Sequence, residues 1–279
     1  MIFIKRLYKR ISSIEWAVLF LLIVSVVFSI SYFFRTDQWV KIEIKVSQKE
    51  WWWTSQPPPY WLTNTMHIGD KQYDSLGRKE VEIVDVKNYD LWLEKKIAFA
   101  TLMVRAKYDN RKKKYVFGNQ PLEVGNTLSL NTGSIGTHGL ITRIYTGEDT
   151  QTEHHKKVEI KIIDEYYFDV FSETTGVAPW IADAFSVGDK MKDGEGRTIV
   201  DILKKNVLPA GTLVSTNGGV AYIAKNPLLK DVYLTVDLVA YKNGDAEYFL
   251  NEFIVKVGSK IPITLPNINF IGEITRIIE

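Results

Sequence analysis

The chain repeats itself in a fixed order, and this constrains its fold more than any other feature. "HIGDKQYDSLGR" (67–78) is matched by "SVGDKMKDGEGR" (186–197), and "GLITRI" (139–144) is matched by "GEITRI" (272–277). Chance similarity would not preserve the order of such pairs, so we predict two homologous domains, 39–145 and 157–279, with a polar linker at 146–156. The second copy also carries an insert around 208–230.

Within each copy the dominant period is two. In "KIEIKV" (41–46) and "KVEIKI" (157–162) apolar and charged residues alternate, which indicates strands with one buried face. "IAFATLMVRAKY" and "DVYLTVDLVAYK" each end in a turn signal and predict a hairpin. Only "PPYWLTNTM" and "TGVAPWIADAF" favour short helices. The predicted fold class is all-β: two tandem small β-barrel-like domains, of about seven strands each, after a single N-terminal transmembrane helix.

The repeated twelve-residue phrase has a structural and a functional interpretation. Its glycines suit tight turns and its aspartates can bond nearby backbone, which predicts a turn, a short strand and a second turn. A phosphate loop would need more glycines feeding a helix, and a calcium loop would need about six oxygen ligands. The first copy offers only Asp70 and Asp74, so the structural interpretation is favoured.

An uncharged run from Trp16 to Phe34 has the length of a membrane span. The alternative, a cleaved signal peptide, is disfavoured by the length of the run and the lack of a small-residue cleavage site. We therefore predict that 1–38 form a cytoplasmic tail and a single-pass anchor in the cytoplasmic (inner) membrane, with the later domains extracytoplasmic, as in a periplasmic protein. The basic residues that support this orientation are Lys5, Arg6, Lys9 and Arg10. The predicted anchoring side chains are Trp16, Phe20, Phe28, Tyr32 and Phe34.

The pattern of an anchor helix, a "(Val/Ile)-Glu-(Ile/Val)" strand, "ADAFSVGDK" (182–190) and a closing "G-x-I-T-R-I" resembles the bacterial domain-of-unknown-function family 4330. The second copy matches better, because the first has "TNTMHIGDK" instead. The resemblance implies an anchored extracytoplasmic β-domain and no particular reaction.

Composition excludes several chemistries. There is no cysteine, which removes disulfides, thiol catalysis and cysteine-ligated metals, and a net charge of +2 argues against nucleic acid as a partner. The second domain contains no histidine, and His154 and His155 fall in the predicted linker. A shared activity therefore cannot use histidine, and we expect neither a metal nor a cofactor.

Two segments are candidate contact sites. "WWWTSQPPPYW" (51–61) could be core packing, a protein or membrane contact, or a glycan-binding surface. "RKKK" (111–114) lies at a predicted hairpin tip, either simply solvated or facing anionic headgroups or an acidic partner. The candidate residues are Trp51, Trp52, Trp53, Tyr60, Trp61, Arg111, Lys112, Lys113 and Lys114.

Duplication without a repeated catalytic constellation favours a non-enzymatic structural or scaffold subunit of a cell-envelope assembly. The expected partners are the membrane, other envelope proteins and further subunits in a homo- or hetero-oligomer. The alternative is a glycan- or lipid-binding module of the envelope.

Overall fold

A computed structural model describes residues 13–33, 37–50, 53–91, 95–145, 147, 152–163, 176–215 and 218–278. Helix α1 spans Ser13–Phe33, and its described side chains, at 14 and 16–27, are exposed; they include Trp16 and Phe20. Among the described residues, no helix combines the length and apolar character that crossing a membrane requires. Phe34 and the side chains of Phe28 and Tyr32 lie outside the described part, so the anchor stays a prediction.

The first copy forms a nine-stranded antiparallel sheet, whose main path runs β3-β4-β5-β1-β9-β8. A short helix, α2 (Tyr60–Asn64), follows β2. The strands are β1 (Asp37–Glu50), β2 (Trp53–Gln56), β3 (Lys71–Tyr73), β4 (Lys79–Asp90), β5 (Lys96–Asp109), β6 (Lys114–Phe117), β7 (Gln120–Pro121), β8 (Thr127–Asn131) and β9 (Gly136–Ile144).

The second copy forms an eight-stranded antiparallel sheet with the equivalent path, β11-β12-β13-β10-β17-β16. Its short helix is α3 (Pro179–Asp183). The strands are β10 (Thr152–Ile163), β11 (Lys190–Lys192), β12 (Thr198–Ser215), β13 (Ala221–Asn243), β14 (Ala246–Phe249), β15 (Phe253–Ile254), β16 (Lys260–Thr264) and β17 (Asn269–Ile277). The all-β prediction with two domains is confirmed, as are both hairpins and both short helices.

The period of two places the cores. Ile42, Ile44 and Val46 of β1 are fully buried, while Lys41 between two apolar positions is exposed. Alternate side chains of a strand point to opposite faces, so the same pattern buries Val158, Ile160 and Ile162 of β10 in the second core.

Each sheet curls until its two end strands approach, which gives it a barrel-like shape. In the first sheet the backbone N–H of Asn131 on β8 donates to Gln72 Oε1 on β3, at 2.8 Å. At the equivalent place in the second sheet the N–H of Thr264 on β16 lies 3.5 Å from Met191 Sδ on β11. The two sheets therefore close at the same point, and we call them the first and second barrels.

Two details depart from the sequence prediction. β10 begins at Thr152, inside the segment predicted as linker, and pairs with β13 from Thr152–Lys242 onward. Its early residues are polar because both faces of the strand are wet there, which made them resemble a linker. The first sheet has nine strands and the second has eight, against the seven expected. The additional strands are β2, β7 and β15, which at two to four residues are too short to show a period of two.

The insert of the second copy extends one hairpin. β12 and β13 continue to pair from Ala210–Asn226 to Ser215–Ala221, whereas β4 and β5 stop pairing at Asp90–Lys96. The described tip residues include exposed Tyr222 and Ile223.

Candidate functional site

The two short helices place a tryptophan on the surface of each barrel. Leu62 of α2 and Ile181 of α3 face the cores, and the residue before each is exposed: Trp61 by 55% and Trp180 by 69%. Consecutive side chains of an α-helix are about 100° apart, so the face that buries Leu62 with Thr63, and Ile181 with Ala182, leaves the preceding tryptophan turned outward. The structure therefore makes Trp61 a surface residue and not part of the core.

Two more pairs of equivalent positions are apolar and exposed in both barrels. Ile68 and Val187 precede the first glycine of the repeated phrase, and Val124 and Val257 precede the glycines of the turns before β8 and β16. Folding accounts for repeated core residues, but it does not call for large apolar side chains in water. The two barrels therefore share these exposed apolar positions as well as the exposed tryptophans.

The other predicted contact residues lie apart from one another. Arg111, Lys112 and Lys113 form the turn between β5 and β6, and Lys114 opens β6, where it pairs with Glu123. Among the described residues, no hydrogen bond or ion pair joins this tip to α2. Tyr60 is exposed on α2. Trp51, Trp52 and the side chain of Trp53 lie outside the described residues, so their predicted roles are untested.

The basic tip is shaped by one carboxylate. Asp109 Oδ1 accepts the backbone N–H groups of Arg111 at 2.8 Å and Lys112 at 3.2 Å. These bonds, led by that from Lys112, lower the pKa of Asp109. The tip is thus a formed turn that presents its charges to solvent.

The repeated phrase forms the same turn in both barrels, which confirms its structural interpretation. Asp74 Oδ1 accepts the N–H groups of Leu76 and Arg78, and Asp74 Oδ2 accepts Arg78 Nε at 2.8 Å. Asp193 makes the equivalent bonds to Glu195 and Arg197, with the Nε bond at 2.7 Å. Between this turn and the preceding one lie the short strands β3 and β11.

Strong acceptance of hydrogen bonds has an electrostatic consequence in the first copy. The pKa of Asp74 falls to about 2, chiefly through the backbone N–H of Arg78, and Arg105 on β5 adds a further bond at 3.1 Å. The carboxylate therefore stays charged at any ordinary pH and serves as a fixed anchor for the turn. Among the described residues, no group of three or more His, Asp and Glu is placed to hold a metal ion.

The two turns differ in what they touch. The N–H of Gly194, in the second turn, donates to the backbone oxygen of Asn88 on β4 of the first barrel, at 2.9 Å. A Cβ at Gly194 would overlap the Asn88 side-chain amide. The equivalent residue of the first turn is Ser75, which is exposed. In both copies the turn closes its own barrel. In the second copy it also joins the two barrels, and glycine at position 194 permits the close approach.

Beside this turn, two tyrosines meet between the barrels. Tyr89 of β4 and Tyr241 of β13 are 1% and 2% exposed, and their hydroxyls share a hydrogen bond of 3.1 Å. Burial is the main cause that raises the pKa of Tyr241 to about 12, and burial also raises the pKa of Tyr89. Both hydroxyls therefore remain protonated, as a buried pair that satisfies one another should.

Apolar packing extends the contact. Ile97 and Phe99 of β5, in the first barrel, are buried in the hydrophobic cluster of the second barrel together with Tyr89. At the margin, Lys45 Nζ lies 2.6 Å from Glu252 Oε1, and Thr264 Oγ1 donates to the Asp90 backbone oxygen at 3.2 Å. We call this whole contact, centred on Tyr89, Tyr241 and Gly194, the domain junction. It makes the two barrels one packed body.

The domain junction was not predicted from the sequence. A signal was present in the comparison of the copies: Tyr89 aligns with Leu208, and Gly194 aligns with Ser75. A position whose character changes between homologous copies indicates a contact that only one copy makes. Leu208 is 46% exposed, whereas Tyr89 is buried, in agreement with that reasoning.

Two of the four histidines, His154 and His155, were predicted in a linker but lie in a strand. His154 and His155 lie in β10, beside Glu247 and Asp237 of the neighbouring strands, with N–O distances of 3.1 and 2.9 Å. His155 is thus one member of a two-residue pair, whereas His154 shares Glu247 with Lys156, whose Nζ lies 3.1 Å from the same carboxylate. His138 bonds Ser129 across β8 and β9, and His67 is exposed before the first turn.

Comparison with known proteins adds one finding. A family model described as a domain of unknown function, DUF4330, matches residues 146–278, slightly less than half of the chain. No curated protein and no solved structure matches the chain. The matched residues contain all eight strands of the second barrel, so it is this barrel that is similar to the family.

Proposed function

We propose that the chain is a non-enzymatic scaffold subunit of a cell-envelope assembly, held in the cytoplasmic membrane by α1 with both barrels outside. The observation that carries the proposal is the combination of two barrels packed through a buried junction with an exposed tryptophan at the same place on each barrel. A buried junction fixes the distance between two like surfaces. That property is useful to a subunit that must contact neighbours at two defined points.

The membrane anchor is supported by composition and exposure. Every described side chain of α1 from Trp16 to Val27 is exposed, and all but Ser25 are apolar. A helix that is apolar on all sides has no wet face to present to water. The basic residues that precede it in the sequence favour a cytoplasmic N-terminus.

We further propose that the first barrel is a diverged copy of the same domain as the second. Its support is the register of equivalent bonds. Gly69 and Gly188 donate to the backbone oxygens of Ile83 and Ile202, both at 2.8 Å. Gly125 and Gly258 donate to those of Ile141 and Ile274, at 2.9 and 2.8 Å. A shared fold with shared turn chemistry is what gene duplication leaves behind.

Site-specific photo-crosslinking in native membranes tests the scaffold proposal. A benzophenone amino acid replaces Trp61 or Trp180 in the full chain, and Tyr73 serves as the matched control. Tyr73 is an exposed aromatic residue whose counterpart, Lys192, is not apolar. We expect discrete protein adducts from 61 and 180, either with a second copy or with another envelope protein, and few from 73.

Two results would contradict the proposal. One is a set of adducts that is the same at all three positions, together with a monomeric mass in detergent. The other is that Trp61→Ala with Trp180→Ala leaves the mass of the assembly in detergent unchanged but abolishes retention on a polysaccharide gel. That second result would favour the alternative, a glycan-binding module whose exposed indole rings stack on sugars.

A further inference from the structure

The outer face of the second barrel carries a concave groove of about 680 Å³. It forms where β12 bulges against β13 between Ile202 and Lys204, and where β10 shifts register against β17 between Glu159 and Ile160. A bulge bends a strand and re-aims its side chains, and here two bulges on nearby strands leave a hollow between them. Most of the charged side chains that line it are cationic.

Four cationic side chains line the groove against one carboxylate: Lys157, Lys204, Lys205 and Arg276 against Glu159. Arg276 and Glu159 pair at 3.2 Å, and Lys205 Nζ donates to the Phe185 backbone oxygen at 2.7 Å. Among the described residues, no carboxylate lies within ion-pair distance of Lys157 or Lys204. The groove therefore holds a surplus of positive charge that the described protein does not neutralise.

In the first barrel, a tyrosine side chain fills the place that is equivalent to the groove. Tyr145 stands where the second barrel has Ile278: each donates its backbone N–H to the equivalent lysine oxygen, Tyr145 to Lys41 and Ile278 to Lys157. The Lys41 ammonium lies 4.7 Å from the centre of the Tyr145 ring, and the Arg143 guanidinium carbon lies 5.7 Å from it. The Tyr145 ring thus lies against Lys41 and Arg143, the two cations of the first barrel that correspond to Lys157 and Arg276.

The charge at the bulge also differs. Lys204 pairs with Thr235 across β12 and β13, and its equivalent across β4 and β5, paired with Thr101, is Asp85. The first barrel therefore replaces a lysine by an acid and covers two cations with an aromatic ring. In the second barrel, Lys157 and Lys204 keep no described carboxylate partner, although a like-charged cluster destabilises a fold unless something binds it.

We propose that the groove of the second barrel binds a phosphate-bearing anion. Lysine ammonium groups and an arginine guanidinium are the side chains that bind phosphate oxygens with charge-assisted hydrogen bonds. A concave cationic surface concentrates such anions. The ligand is either a free phosphate compound or the headgroup of an anionic phospholipid, since both present the same chemistry. This inference goes beyond the scaffold role and uses neither the surface tryptophans nor the domain junction.

The test uses the full chain purified in a neutral detergent. Isothermal titration calorimetry measures binding of inorganic phosphate, pyrophosphate and short-chain phosphatidylglycerol, with zwitterionic phosphatidylcholine as the control lipid. We expect saturable binding that weakens as salt is raised. Binding of phosphate or pyrophosphate identifies a free phosphate ligand, and binding of phosphatidylglycerol alone identifies a lipid headgroup; either result supports the proposal.

The decisive variant gives the second barrel the residues of the first, Lys204→Asp with Ile278→Tyr. We expect its affinity to fall by about tenfold or more. The matched control is Lys41→Gln in the first barrel, which should leave affinity unchanged. Where the double variant unfolds, Lys204→Gln on an exposed position takes its place and should weaken binding severalfold. No saturable binding by any anion, equal binding of both lipids, or unchanged affinity in the folded variant would overturn the proposal.

Discussion

The turn at Asp74 and the turn at Asp193 make the same internal bonds but stand in different surroundings. Each aspartate accepts two backbone N–H groups and one arginine Nε. Among the described residues, the first turn faces solvent and bonds Arg105 of its own barrel, while the second lies against β4 of the other barrel. The side chain of Asp74 is 11% exposed and that of Asp193 is 3% exposed.

On the proposed duplication, the difference shows how one copy of a domain acquires a contact that the other lacks. The turn chemistry needed to close a barrel is retained in both copies, because losing it would leave the backbone groups of the turn without partners. Joining the two barrels needs few changes. One is a glycine, Gly194, at the position equivalent to Ser75, and the others are tyrosines that present an apolar ring and a polar hydroxyl. The residues that join the barrels are thus mostly those at which the copies disagree.

The largest predicted effect comes from truncating the aromatic centre of the domain junction. Tyr89→Ala removes a buried ring and should lower the free energy of unfolding by about 3–5 kcal/mol, as large-to-small changes of buried aromatic residues do. Leu208→Ala changes the equivalent, exposed position and should cost less than about 0.5 kcal/mol. Urea unfolding of the two variants measures the contrast. Equal losses would show that the positions are not distinguished by the junction.

A smaller effect is expected from adding a side chain at the docked turn. Gly194→Ser would force its Cβ against the Asn88 amide and should cost about 1–3 kcal/mol, the usual cost of overpacking. Ser75→Gly, in the free turn, should cost less than about 1 kcal/mol. Thermal unfolding compares the two. Adding Asn88→Ala to Gly194→Ser should restore part of the loss; failure of this rescue would argue against the overlap as its cause.

Removing one junction hydroxyl should cost less again. Tyr89→Phe removes the hydrogen bond between the two hydroxyls and leaves the Tyr241 hydroxyl with its bond to Glu153, at a cost of about 1 kcal/mol. The double change, Tyr89→Phe with Tyr241→Phe, removes both groups and should cost less than the sum of the two single changes. A double-mutant cycle by urea unfolding measures the coupling. Strict additivity would mean that the two hydroxyls do not depend on each other.

Alkaline pH should loosen the junction without mutation. The pKa of Tyr241 is about 12 in the folded chain against 10.0 for a free tyrosine, so the folded state holds this proton more tightly. The associated stability is complete below pH 10 and is lost as pH rises through 12. The tyrosinate absorbance that is lost in Tyr241→Phe should show Tyr241 ionising well above pH 10 in the folded chain. Ionisation of Tyr241 at pH 10 would contradict a buried pair.

The sequence was sufficient for the architecture because the period of two is a local signal. Ile42, Ile44 and Val46 could be assigned to one face without knowing what lay against them, and the turn glycines could be assigned by their repetition. The role of Trp61 could not be decided, because an aromatic residue suits a core and a surface contact equally. Which side of α2 it occupies depends on Leu62 and on the sheet beneath.

The domain junction was beyond sequence reasoning for a related physical reason. Tyr89 lies in the polar stretch "DVKNYD", where alternation is weak, and it is buried by the other barrel. Local pattern reports burial within a domain and not burial between domains. Only comparison of the copies points to Tyr89 and Gly194, and even that does not name their partners.

Residue-resolved hydrogen exchange of the unmodified chain tests the central claim, that the second copy of the turn joins the barrels. The Gly194 amide donates to Asn88 of the other barrel, whereas the Ser75 amide donates to no acceptor among the described residues. After correction for intrinsic rates, we predict strong protection at Gly194 and little at Ser75. Equal protection of the two amides would contradict the account, because it would mean that the two turns stand in the same surroundings.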